Sequence, residues 1–133
     1  MTSYSFIAYG NANIRATHKR TLEITKDNFL TKNGDCIIGI IASFEPKKLM
    51  EFVKNALVYV EIELKVNNIT ERIRGIVNKN FSDERAIVIR KSNFISGRTL
   101  IFSAEKSAFE ISRHLVELAK SPNQKIYVCL RAI

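Results

Sequence analysis

Residues 10–30 of this chain recur, without a gap, at residues 75–95. Seven aligned pairs are identical: Gly10/Gly75, Asn13/Asn78, Arg20/Arg85, Ile24/Ile89, Lys26/Lys91, Asn28/Asn93 and Phe29/Phe94. The two copies of the repeat can be compared with each other. Residues that match between the copies are expected to serve the fold, whereas polar residues that differ need another explanation. The repeat therefore predicts an internally duplicated fold whose halves are related by pseudo-two-fold symmetry.

Both halves show the same order of predicted elements: strand, strand, strand, helix, strand. Hydrophobic periodicity and turn signals place those of the first half at residues 4–16, 21–25, 36–42, 46–56 (the helix, with Ser43 or Glu45 as its cap) and 58–66. Those of the second half are placed at residues 73–78, 86–90, 99–103, 107–120 (the helix) and 125–131. We expect the helix face of Leu49, Met50, Val53, Ala56 and Leu57 to be buried, and His114 to be partly buried.

This pattern predicts an α+β protein with one mixed or antiparallel sheet and two flanking helices. The chain is 46% hydrophobic over 133 residues, which suits a single domain made of two repeats, about 4–66 and 69–131. A closed barrel would remove exposed strand edges, but an open sheet fits the sequence equally well. No apolar run is long enough to span a membrane, and no signal peptide is evident, so we expect a cytoplasmic protein.

The Asn67-Asn68 pair predicts a two-residue hairpin turn. The register that follows places Glu63 opposite Arg72 and Glu61 opposite Arg74. Two pairs of opposite charge on one face support this register. They also make both arginines poor candidates for binding nucleic acid.

One polar group of residues breaks the repeat. Thr21 and Glu23 in the first half are replaced by Ala86 and Val88 in the second, and His18 by Asp83. We therefore predict a ligand pocket formed by His18, Thr21, Glu23, Thr25 and Asp35. His18, Glu23 and Cys36 are the candidate catalytic residues, as acid, base and nucleophile. The alternative is a solvated sheet face, with Asp35 in a turn and Cys36 in the core. The spacing matches no metal signature, so no metal site is predicted, and any cofactor is unknown.

The net charge of +8 favours an anionic partner, RNA or DNA. Residues 69–133 account for +6 of this charge. The candidate phosphate-binding residues are Lys79, Arg85, Arg90, Lys91, Arg98, Lys125 and Arg131. Phe81 and Phe94 are candidates for stacking on bases, but Phe94 matches Phe29 in the repeat and is expected in the core.

The segments His18-x-x-Thr21-x-Glu23-x-Thr25 and Gly34-Asp35-Cys36 resemble a small archaeal family of uncharacterised proteins of about this length. The resemblance implies an archaeal cytoplasmic protein and brings no established activity with it. Three functions stay open at this point. The first is a binding domain for RNA or DNA, the second a small enzyme or ligand-binding protein that uses the polar group, and the third a homodimer or a component of a larger archaeal assembly.

Overall fold

Eight strands form one mixed sheet, with two α-helices packed against it, in the computed structural model, which describes residues 2–133. The first half contains β1 (Ser3–Tyr9), β2 (Thr21–Thr25), β3 (Ile37–Gly39), α1 (Pro46–Asn55) and β4 (Tyr59–Val66). The second half contains β5 (Ile69–Val77), β6 (Ala86–Arg90), β7 (Thr99–Phe102), a 3-10 turn (Ala108–Glu110), α2 (Arg113–Ala119) and β8 (Lys125–Ala132). The predicted α+β class and the order of elements in both halves are confirmed.

Several predicted boundaries were wrong. The first strand ends at Tyr9 rather than residue 16, and the strand predicted over 36–42 covers only three residues, Ile37–Gly39, at one end of the sheet. The helix predicted over 107–120 is divided, because Ser112 caps a new helix by accepting a hydrogen bond from the Leu115 N–H at 3.3 Å. Ser107 and Glu110 form a capping box, which begins the 3-10 turn. At α1, neither Ser43 nor Glu45 caps the helix with its side chain.

The strands lie in the order β1-β8-β4-β5-β7-β6-β2-β3. The sheet is not a continuous barrel, since its two end strands meet at a single residue pair, Tyr9 and Ile40, whose backbones exchange hydrogen bonds of 2.8 Å in both directions. The corresponding junction in the other half, β5 with β7, is also short and pairs Ile76 with Phe102 and Val77 with Ile101. If β1–β4 are exchanged with β5–β8, each strand therefore keeps equivalent neighbours around the sheet.

A pseudo-two-fold axis passes between Glu23 and Val88. These residues are equivalent in the repeat, and they face each other where β2 and β6 pair antiparallel. The flanking parallel pairs repeat the same irregularity: β2 with β3 shifts register after Glu23, and β6 with β7 shifts after Val88. Equivalent backbone bonds join Glu23 N–H to Cys36 O and Val88 N–H to Arg98 O. Arg98 is thus the counterpart of Cys36, since the connection 91–98 is three residues shorter than 26–36.

The hairpin of β4 and β5 has the predicted register. Glu63 lies opposite Arg72, Glu61 opposite Arg74 and Ile62 opposite Ile73. Arg72 Nε lies 3.0 Å from a Glu63 carboxylate oxygen, and Arg74 Nε lies 3.4 Å from one of Glu61. The turn residue Asn67 has φ 54°, in the left-handed region that asparagine tolerates.

The core lies between the sheet and the helices, and two expectations about it were wrong. On α1, Leu49, Phe52 and Val53 are buried, whereas Leu57 lies beyond the end of the helix and is 83% exposed. His114 on α2 is exposed. At Gly10 a Cβ atom would lie 2.2 Å from the carbonyl oxygen of Ala119, so this position requires glycine for close backbone approach. No helix within residues 2–133 combines the length and the apolar composition needed to cross a membrane.

Candidate functional site

The polar residues that break the repeat do not all come together. Glu23 lies on the pseudo-two-fold axis, with Cys36 on one side and Arg98 on the other. Arg98 Nη2 lies 2.7 Å from Glu23 Oε2, and the Cys36 thiol donates a 3.6 Å hydrogen bond to Glu23 Oε1. Arg98 Nε also lies 3.9 Å from Asp83. We call Glu23, Cys36, Asp83 and Arg98 the axis cluster.

The His18 side chain caps backbone N–H groups and does not contact Glu23. Its Nδ1 accepts hydrogen bonds from the N–H groups of Arg20 at 3.1 Å and Thr21 at 3.0 Å, ahead of β2. Asp83, the residue aligned with His18, accepts from the N–H of Ala86 ahead of β6 in the same manner. His18 and Asp83 therefore perform the same capping role with different side chains, a relation that the sequence alone does not indicate.

The remaining pocket candidates are dispersed. Thr25 is buried, and its hydroxyl oxygen accepts a hydrogen bond from the Asp27 N–H. Thr21 lies opposite Arg90 in the sheet. The Asp35 backbone oxygen accepts from the N–H groups of Thr17 and His18, and so ties the 26–36 connection to the segment before β2. The pocket and the catalytic assignments of His18, Glu23 and Cys36 stay predictions.

The chemistry of the axis cluster favours a structural role. Burial, together with the nearby Glu23 carboxylate, raises the pKa of the Cys36 thiol to about 12. The thiol is therefore protonated near neutral pH, whereas a nucleophile requires the thiolate. Both carboxylate oxygens of Glu23 are already bonded, one to each half of the chain. Both cysteines are free thiols, and no group of three His, Cys, Asp or Glu side chains suited to a metal ion occurs among the described residues.

Most of the predicted phosphate-binding cations have partners within the protein. Arg85 pairs with Asp27, Lys91 with Glu110, Arg98 with Glu23, and Arg131 with Glu61 and Glu63. Lys79 Nζ bonds to the backbone oxygens of Val53, Lys54 and Ala56 at the end of α1. Arg90 Nε donates to Thr99 Oγ1 at 2.9 Å. Within residues 2–133, Lys125 is the only one of these seven candidates whose side chain has no ionic or hydrogen-bonding partner. The seven residues therefore do not form one free basic surface.

A different surface combines free cations with exposed aromatic rings. Lys19 and Arg20, just before β2, are exposed, and their side chains have no ionic or hydrogen-bonding partner in the described part of the chain. The Lys91 N–H donates to Arg20 O, and the Phe109 N–H donates to His18 O. We call Lys19, Arg20, Lys91, Phe94 and Phe109 the basic–aromatic surface.

The aromatic residues of this surface correct two expectations. Phe94 was expected in the core but is 59% exposed, and Phe109 is 53% exposed. The Arg90 guanidinium lies 4.9 Å from the centre of the Phe94 ring. Phe81, the other stacking candidate, is buried and unavailable to a base. Sequence reasoning missed Lys19, Arg20 and Phe109; the basic run 19–20 was the available signal, but the higher charge of the second half drew attention away from it.

Two comparisons place the chain among known proteins. The fold defines an α+β class with two halves of identical element order and a polar cluster on the axis between them. The chain belongs to the family described as domain of unknown function DUF371, whose model matches residues 6–133. It is also 41% identical to an uncharacterised protein of Methanocaldococcus jannaschii, over 90% of this chain and 93% of that protein. Membership in an uncharacterised archaeal family, as the resemblance implied, is confirmed.

Proposed function

We propose that this protein binds nucleic acid, RNA or DNA, through the basic–aromatic surface. The proposal rests on two exposed phenylalanine side chains, Phe94 and Phe109, whose segments are joined by backbone hydrogen bonds to residues 18–20. That segment holds Lys19 and Arg20, two cations without partners in residues 2–133. Proteins that bind nucleic acid without strong sequence preference combine these elements, with cations on phosphates and aromatic rings on bases. A net charge of +8 adds a long-range attraction to a polyanion.

The charge balance of this surface supports an anionic ligand. Lys91 pairs with Glu110, with Nζ and Oε1 2.8 Å apart, so this acidic neighbour is neutralised. Lys19 and Arg20 then contribute positive charge that no side chain in residues 2–133 offsets. Arg90 stacks on Phe94 and holds the ring at the surface, which lowers the entropy lost when a base stacks on it.

A salt titration of fluorescence anisotropy with labelled RNA and DNA tests the proposal. In Lys19→Ala/Arg20→Ala, binding should weaken about equally for all sequences, and the slope of log K against log salt should fall by about 1.4 for a single strand. The matched control is Lys47→Ala/Lys54→Ala, which removes two exposed lysines of α1. No binding by the wild type at low salt, or an equal effect of both double variants, would overturn the proposal.

A further inference from the structure

A surface motif is present in both halves of the chain. The segments Lys26-Asp27-Asn28-Phe29 and Lys91-Ser92-Asn93-Phe94 share lysine, asparagine and phenylalanine at the same spacing. Phe29 is 65% exposed and Phe94 is 59% exposed, and both asparagines are exposed as well. Core packing explains residues that match and are buried, but it does not explain an exposed aromatic ring kept in both copies.

The two loops begin and end on equivalent backbone hydrogen bonds, although the second loop is three residues shorter. Lys26 N–H donates to Arg85 O, as Lys91 N–H donates to Arg20 O. At the far end, the Ile37 N–H bond to Gly34 O is matched by the Thr99 N–H bond to Ser96 O. Phe29 and Phe94 each lie three residues after the first of these bonds, so the pseudo-two-fold axis relates the loop starts that carry them.

Local structure does not account for the shared residues. Neither Asn28 nor Asn93 has a positive φ, and within residues 2–133 neither side chain has a hydrogen-bond partner. The lysines use their side chains differently: Lys26 bonds to the Ala42 oxygen and Lys91 pairs with Glu110. A cation, an amide and an exposed ring are the three groups that contact a phosphate, a base edge and a base face.

We infer that the protein binds a single strand of nucleic acid at two related points, with one base stacked on Phe94 and another on Phe29. The inference rests on the proposed function and adds to it the single-stranded form of the ligand and its minimum length. The axis is normal to the sheet between Glu23 and Val88, so it keeps both loops on the same side of β2 and β6. The loops begin at opposite ends of the five-residue β2, about 17 Å apart.

This separation of the loop starts gives the scale of the strand that reaches both rings. At about 3.4 Å per nucleotide along a stacked strand, 17 Å corresponds to about five nucleotides. A shorter oligonucleotide reaches one ring at a time. A duplex keeps its bases paired and stacked within the helix, so it offers no free base to either ring.

Fluorescence anisotropy with labelled oligouridine and oligodeoxythymidine of about three, six and twelve nucleotides, and a duplex of about twelve base pairs, tests the inference. Wild-type affinity should rise sharply between the oligonucleotides of about three and six nucleotides. Between six and about twelve nucleotides, the affinity for each binding site on the strand should change little. Phe29→Ala should lower affinity for the longer strands by about 5- to 100-fold and remove most of that length dependence. Phe29→Tyr should retain binding, and Leu57→Ala, at an exposed apolar residue in a different part of the chain, is the matched control.

The outcomes separate this inference from the proposed function. If the wild type binds none of these probes, both fail. If Phe94→Ala weakens binding while Phe29→Ala and Leu57→Ala do not, the two-point inference is wrong and the basic–aromatic surface stands. Equal affinity for duplex and single strand also overturns the inference. Because both rings are exposed, the alanine variants should melt within a few degrees of the wild type, which circular dichroism verifies.

Discussion

At the scale of single residues, the Cys36 thiol shows how burial and a neighbouring carboxylate together decide reactivity. Its burial, and then the charge and hydrogen bond of Glu23, raise its pKa and favour the protonated form. The same cysteine in solvent would be partly ionised near pH 8. The sequence analysis named Cys36 and Glu23 among the candidate catalytic residues, but it did not reveal that Arg98 takes the other oxygen of the Glu23 carboxylate.

We predict that Cys36 is nearly inert to alkylation. Raising the pKa from 9.0 to about 12 lowers the thiolate fraction at pH 8 by roughly a thousandfold. The measurement is the rate of iodoacetamide labelling against pH in Cys129→Ser, in which Cys36 is the remaining thiol. The rate should still be rising above pH 10, and unfolding in urea should restore ordinary reactivity. A folded-state midpoint near pH 8.5 would contradict the assignment.

At the scale of elements, the β4–β5 hairpin depends on its first turn residue. Asn67 has φ 54°, a conformation that costs most other residues about 1–2 kcal/mol. Asn67→Ala should therefore lower the free energy of unfolding by about 1 kcal/mol, while Asn67→Gly should leave it near the wild-type value. Urea denaturation measures both.

The neighbouring residue supplies the control. Asn68 does not have a positive φ, so Asn68→Ala should be nearly neutral. Equal losses from Asn67→Ala and Asn68→Ala would mean that backbone conformation is not the cause.

Elements set by local pattern could be predicted, and those set by distant contacts could not. The predicted bounds of β2 and β6 match the structure to the residue, and the Asn67-Asn68 turn, supported by paired charges, set the hairpin register. The break in the second helix depends on Glu71, whose Oε2 accepts the Ser112 N–H from 41 positions away. Ile41 was read as part of a strand, yet it has φ 54°, a rare conformation for a β-branched residue. Sequence periodicity does not encode either feature.

The candidate site was predicted only in outline. The repeat drew attention to the region around Glu23, through which the axis passes, and the site there stays a prediction. Phe94 was expected in the core because matched residues were assumed to serve the fold, whereas Phe94, like Phe29, lies on the surface. Exposure depends on what the rest of the chain covers, which the sequence does not indicate directly.

At the scale of the whole molecule, ion pairs across three strands make stability depend on pH. Glu63 on β4 contacts Arg131 on β8 and Arg72 on β5. In the folded protein, the hydrogen bond from Arg131, and then that from Arg72, lower the pKa of Glu63 below its ordinary value of 4.5. A carboxyl whose pKa is lower when folded adds stability above its unfolded pKa, and this contribution is lost as the pH falls through the folded pKa.

We therefore predict that Glu63→Gln lowers the free energy of unfolding at pH 7 by about 1–2 kcal/mol. The variant should also lose part of the decrease in stability that the wild type shows as the pH falls below 4.5. Urea denaturation from pH 3 to 7 gives both quantities. Glu51→Gln, at an exposed carboxylate of α1 without an ion pair in residues 2–133, should leave the curve unchanged. A parallel shift of the two variants at every pH would exclude Glu63 as the source.

The pairing of β1 with β8 has a consequence for synthesis on the ribosome. Among residues 2–133, β1 has its one long ladder with β8, and its other strand contact is the single pair of Tyr9 with Ile40. Until β8 has been synthesised, β1 therefore lacks the strand that pairs with it along its length. We expect nascent chains truncated before Lys125 to stay protease-sensitive, with native resistance gained once β8 has left the ribosome.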